Sequence, residues 1–93
     1  MYFIKPSSTF NSDLNVCISR GYDISLLEYA LKIMRRKGKL PKEYKTHLLK
    51  GTKYKDKGIF DSHIENDWLI LYKIKENTVF LIRTGTHSDL FDK

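Results

Sequence analysis

The sequence predicts an α+β fold, with an N-terminal helical hairpin packed on a small twisted antiparallel sheet. Three observations predict it. Apolar residues recur at helical spacing between Phe10 and Met34. Three runs rich in Ile, Leu, Phe, Tyr and Val follow from Gly58 onward. The segments between those runs are so short that only antiparallel hairpins can join them. The chain has 93 residues, enough for one domain spanning 1–93. A domain of that size hides about 60–65% of the surface its unfolded chain exposes, so its core is thin and a stable partner matters to it.

Tyr2–Ile4 reads as a short opening strand ended by Pro6. Ser7 or Ser8 supplies a side-chain oxygen to cap a first helix. Phe10, Leu14, Cys17 and Ile18 form its apolar side, and Gly21 suits the left-handed residue that closes it. Asp23 is the expected cap of a second helix, with Tyr22 and Leu27 placed for a hydrophobic staple. Leu27, Ala30, Leu31 and Met34 make its inner stripe. Arg35, Arg36 and Lys37 end it with positive charge that suits the helix dipole, and Gly38 stops it.

Gly38–Lys57 differs in character. Seven of its twenty residues are lysine (39, 42, 45, 50, 53, 55 and 57), and few apolar positions are periodic. It reads as a loop with at most one short helical turn. Such a stretch is either a solvated surface or, since Tyr44 and Tyr54 interleave with the lysines, a contact for phosphates and bases. The strands expected beyond it are Gly58–His63, Asp67–Lys73 and Thr78–Thr84, joined by Ile64–Glu65–Asn66 and Lys75–Glu76–Asn77.

Net charge is +6, from 17 Lys and Arg against 11 Asp and Glu, which favours a polyanionic partner. Cys17 is the only cysteine. A lone thiol fits a reducing compartment, so a cytoplasmic location is expected, with Cys17 a small buried hydrophobe. No signal peptide is visible at Met1–Lys5. The longest apolar run, Trp68–Tyr72, falls far short of the ~20 residues of a membrane span, so no membrane partner is expected.

Regular hairpins would set His63 opposite Asp67, Asp61 opposite Leu69, Leu69 opposite Arg83 and Asp67 opposite Gly85. Asp61, His63, Asp67 and Arg83 would then project from one face near one end of the sheet, with His87 just past it. Phe60, Trp68, Ile70, Tyr72, Phe80 and Ile82 would form the core on the other face. Each polar residue alone has an ordinary structural explanation as a cross-strand pair or counter-ion. Their convergence is what points to chemistry.

The histidines at 47, 63 and 87 have no short metal-ligand spacing, although Asp61 and His63 offer two ligands between them. No metal or other cofactor is expected. No serine stands in a nucleophile-elbow context. RNA cleavage through the ribose 2′-hydroxyl uses these side chains without a cofactor. It needs a base for the hydroxyl proton, an acid for the leaving 5′-oxygen and positive charge beside the phosphate. Histidine serves either proton role near neutral pH, and an arginine fork suits phosphate oxygens.

The segments His47-Leu-Leu-Lys-Gly51, Asp61-Ser-His63-Ile-Glu-Asn-Asp67-Trp68-Leu-Ile-Leu-Tyr72 and Arg83-Thr-Gly-Thr-His87-Ser-Asp-Leu-Phe91 resemble the YafQ branch of the RelE/ParE toxin superfamily. The resemblance covers roughly the C-terminal half. It implies a microbial-RNase-like fold and the toxin half of a type II toxin–antitoxin pair. Such toxins enter the ribosomal A site and cut mRNA. A cognate antitoxin silences them, and DNA is met only indirectly through the antitoxin complex. The resemblance associates His47, His63, Asp67 and His87 with catalysis, and places Arg83 and Phe91 at the active site.

The expected roles follow. His87 is the general acid. His47, or His63 oriented by Asp67, is the base. Arg83 stabilises the phosphate, Phe91 stacks on or positions a base, and Asp61 supports. Lys53, Lys55 and Lys57 contact RNA backbone. Two other readings stand beside this one. ParE-like relatives share the fold and bind DNA gyrase without chemistry, but generally lack this histidine set. A basic RNA-binding module would bind without cutting.

Overall fold

The computed structural model describes residues 1–50, 54 and 58–91. Strand β1 (Phe3–Pro6) leads into helices α1 (Ser8–Ser19) and α2 (Ile24–Lys37). After a 3-10 turn at Lys42–Tyr44 come β2 (His47–Leu48), β3 (Phe60–Glu65), β4 (Trp68–Lys75), β5 (Thr78–Gly85) and a short helix α3 (His87–Phe91). The five strands form one sheet in the order β1-β5-β4-β3-β2.

The helix ends obey local chemistry. The Ser7 hydroxyl accepts from the Phe10 N–H at 2.9 Å and donates to the Ile82 carbonyl, so the cap of α1 is also its tie to β5. Asp23 caps α2 by accepting from the Ser25 N–H at 3.1 Å. Gly38 closes α2 at φ +72°, where a Cβ would collide with the Tyr2 ring.

The α+β architecture is as the sequence predicts, with one addition. The sheet is mixed, because β1 pairs with β5 in parallel, Phe3 against Thr78 through Pro6 against Leu81. The two helices supply the long crossover that a parallel pair requires. Pro6, which has no N–H to give a ladder, sits on an edge strand where that costs nothing. The strand β2 lies within the stretch read as a loop, and its two residues pair with Phe60 and Asp61.

The first hairpin's register differs from expectation by two residues: Asp61 faces Leu71 and His63 faces Leu69. The reason is that β3 runs on to Glu65, with a bulge at Ile64, leaving only Asn66 and Asp67 in the turn. An even slip preserves which face each side chain occupies. The second hairpin slips by one residue next to its turn, where Tyr72 faces Leu81 and Ile74 faces Val79, so Val79 and Leu81 are buried where Phe80 and Ile82 were expected. A bulge at Ile82 adds a second residue to the slip, and beyond it Leu71 faces Arg83 and Leu69 faces Gly85.

The sheet is covered on both faces. Phe10, Cys17, Leu27, Ala30 and Met34 from the helices pack on Trp68, Ile70, Tyr72, Val79 and Leu81. Ile18, expected to join them, is half exposed. Cys17 is buried, and burial pushes its thiol pKa up, as suits an inert small hydrophobe. On the other face Leu69 and Leu71 pack against Leu49, Tyr54, Ile59 and Leu90. Tyr54 is therefore a core residue, not a free stacking platform among lysines. Its hydroxyl donates to the Leu90 carbonyl. Leu69 and Leu71 are fully buried, each contributing about 1.5–3 kcal/mol. Trp68 is satisfied as well as buried: its indole N–H donates to the Thr84 hydroxyl, which donates to the Leu69 carbonyl.

Candidate active site

The two-residue turn sets Asp67 at the tip of the β3–β4 hairpin, directly beside the start of α3. Its Oδ1 accepts from the His87 backbone N–H at 2.9 Å and lies 2.6 Å from His87 Nδ1. These bonds, the backbone one first, hold the Asp67 carboxyl below its ordinary range, so it is ionised at neutral pH. A carboxylate on Nδ1 fixes the ring's orientation and leaves Nε2 as the nitrogen for chemistry. The His63 ring stands 5.6 Å from the His87 ring, centroid to centroid. Phe91, one helical turn beyond, is 6.3 Å from His87 and edge-on to Tyr54 at 5.9 Å. His63, Asp67, His87 and Phe91 are thus one contiguous group. The imagined pair of His63 with Asp67 is replaced by His87 with Asp67.

His47 and Asp61 form a second pair. They are register partners across β2 and β3, with His47 Nδ1 3.5 Å from Asp61 Oδ1. Asp61 is nearly buried, and its Oδ1 has no hydrogen-bond partner among the described residues. A buried carboxylate oxygen in that state is costly, and a hydrogen-bond donor brought to it would be held well. Asp61 and His63 alternate along one strand, so the second pair lies beside the first group.

Arg83 is placed differently from expectation. Its Nε and Nη2 make a two-pronged contact with Asp13 of α1, at 3.0 and 2.9 Å. The Thr84 N–H also donates to Asp13. This carboxylate raises the Arg83 pKa further and occupies one edge of its fork. Lys53, Lys55 and Lys57 lie outside the described residues. No group of three or more His, Cys, Asp or Glu side chains is arranged around a common metal position among the described residues. No described helix is long and apolar enough to cross a membrane.

Sequence reasoning missed three polar residues that frame this end of the sheet. Asp13 holds Arg83, and Arg20 holds Asp89 through contacts of 2.7 and 3.1 Å. Asp89 in turn completes a capping box with Thr86: the Thr86 N–H donates to its carboxylate at 2.9 Å, and its own N–H donates to the Thr86 hydroxyl at 3.0 Å. Two signals were legible. Thr86 and Asp89 have capping-box spacing, and Asp13 and Arg20, seven apart, share one side of a helix.

Comparison with known proteins shows the family. Residues 2–92 match the family described as the YafQ bacterial toxin of type II toxin–antitoxin systems. The mRNA interferase toxin YafQ of Escherichia coli K12 is 34% identical over 89 residues, covering 95% of this chain and 94% of that protein. The toxin in the crystal structure of the Escherichia coli DinJ–YafQ complex superposes with a TM-score of 0.85 at 33% identity, covering 98% of this chain and 99% of that one. A metal-bound toxin from Helicobacter pylori superposes with a TM-score of 0.85 at 38% identity, covering 98% and 100%. The fold and these matches define the toxin of a type II toxin–antitoxin system. The chain belongs to the YafQ family.

Proposed function

We propose that this toxin is a cytoplasmic mRNA endonuclease that works in the ribosomal A site and is silenced by a cognate antitoxin, with DNA met only through that complex. The observation that supports it most is the His87–Asp67 contact beside the His63 ring. It combines an oriented imidazole, an ionised carboxylate and a second imidazole 5.6 Å away, the set that 2′-hydroxyl attack on a phosphate requires.

In this reading His87 donates the proton to the leaving 5′-oxygen. Asp67 holds it in position and balances its charge while it is protonated. His63, or His47 beside Asp61, takes the 2′-hydroxyl proton. Arg83 places positive charge near the phosphate, with Asp13 fixing its plane. Phe91 stacks on a base, and Lys53, Lys55 and Lys57 contact RNA backbone. The chemistry proposed needs no metal.

The test adds purified protein to a translating extract and maps mRNA 5′ ends. New ends are expected within reading frames with wild type, and none with His87→Ala or His63→Ala. Transcripts that stay intact with folded wild-type protein would refute the proposal.

A further inference from the structure

Helix α3, which carries His87 and Phe91, is tied to α1 through Asp89. Helix α3 is only five residues long, too short to hold itself together in water. It carries His87 at its first position and Phe91 at its last. Two inputs fix its first turn: the Thr86–Asp89 capping box and the contact of Asp67, in the β3–β4 turn, with the His87 N–H. A third comes from 69 residues away. Arg20, at the C-terminal end of α1, grips both carboxylate oxygens of Asp89.

Exposed ion pairs usually contribute little, because two long side chains must be ordered in high dielectric. This pair escapes that rule on three counts. It is two-pronged, so its geometry is set. Asp89 is already fixed by Thr86. Arg20 rests beside Tyr22, whose ring lies 6.0 Å from the guanidinium carbon and packs on Trp68 at 5.0 Å. Gly85 shows how closely the carboxylate is seated. A Cβ on that residue would stand 2.8 Å from Asp89 Oδ2.

We infer that Arg20 and Asp89 are positioning residues for the reaction: their contact clamps α3 to α1 and so sets His87 and Phe91 against His63. The inference rests on the proposed site and deepens it. Neither residue touches the reacting atoms. Their removal acts through placement, where an error of 1 Å costs up to ~100-fold in rate.

The experiment measures ribosome-dependent cleavage at saturating and limiting ribosome for wild type, Arg20→Gln, Asp89→Asn, Arg20→Lys and the Arg20→Gln/Asp89→Asn double variant. Near-UV circular dichroism checks folding at the assay temperature. The expected result is a fall in kcat of about tenfold for Arg20→Gln and for Asp89→Asn, with KM within about twofold. The double variant should be no worse than the poorer single one, because both remove one contact. Arg20→Lys, with charge but no fork, should fall between wild type and Arg20→Gln.

Histidine ring ¹⁵N spectra give a second reading, independent of turnover. The His87 resonances should shift in Arg20→Gln while those of His47 stay in place. Wild-type kcat in folded Arg20→Gln, a loss confined to KM, or unshifted His87 resonances would each overturn the clamp. His87→Ala keeps the two claims apart. If it cuts normally, the proposed site is wrong. If it is dead while Arg20→Gln is fully active, only the clamp is wrong.

Discussion

At the scale of single residues, the site depends on carboxylates that stay charged because of what they touch. Asp67 is exposed and, among the described residues, bonds to His87, so its loss should affect chemistry more than folding. Asp67→Asn is expected to lower kcat by ~10–100-fold through loss of ring placement, with only a small fall in melting temperature. Single-turnover cleavage and a thermal melt check both halves. Asp89 carries a pH signature. Arg20 and then the Thr86 N–H hold its carboxyl well below the ordinary carboxylate range. A depressed folded-state pKa means that the unfolded chain takes up the proton first. The stabilisation is therefore complete above the ordinary aspartate value, near pH 4, and is lost as pH falls through the lowered one. Unfolding of wild type followed by Trp68 fluorescence should show stability declining from about pH 4 downward. Asp89→Asn should remove part of that decline. An identical acid limb in the variant would mean that the pair contributes nothing to folding.

The elements show why the sequence revealed the site more faithfully than the pairings that build it. Asp61 and His63 are two apart along β3, so they share a face in any register, and the first hairpin slipped by an even number of residues. The buried partners in β5 did not survive. A slip of one residue beside the turn exchanged Phe80 and Ile82 for Val79 and Leu81, and no local composition marks such a slip among Ile, Leu and Phe. The lysine-rich stretch hid its anchors for a similar reason. Leu49, Tyr54 and Ile59 are isolated apolar residues with no period to announce them, yet they cover Leu69 and Leu71. Arg83 was expected in the cluster, and its partner Asp13 was not legible, since they are 70 positions apart. Gly85 marks the join between β5 and α3. Gly85→Ala adds a Cβ at φ +155° against Asp89, and is expected to cost about 1–3 kcal/mol and to lower kcat with it. Urea unfolding and single-turnover cleavage measure the two effects. A variant that is fully stable and active would show that α3 has room to move.

For the whole molecule, the relevant property is a +6 charge on a small body, with much of it in the lysine-rich segment. Phosphate contacts release counterions, so ribosome binding should weaken steeply with salt. Replacing Lys53, Lys55 and Lys57 together by Gln should weaken binding. It should also flatten the log–log salt slope by about 0.7 per lost single-strand contact. Filter binding between 50 and 200 mM salt, the range in which such contacts show most clearly, is the measurement. An unaltered slope would remove those lysines from the interface.

The parallel pairing of β1 with β5 has a temporal consequence. Phe3 through Pro6 have no partner until Thr78 through Leu81 exist, and Asp13 and Arg20 likewise wait for Arg83 and Asp89. Pairings between the two ends of a chain form late, because a long loop must close before they return anything. Residues 78–89 must therefore leave the ribosome before the first strand and helix find their places. A toxin cut short ahead of them by a premature stop is an unassembled one.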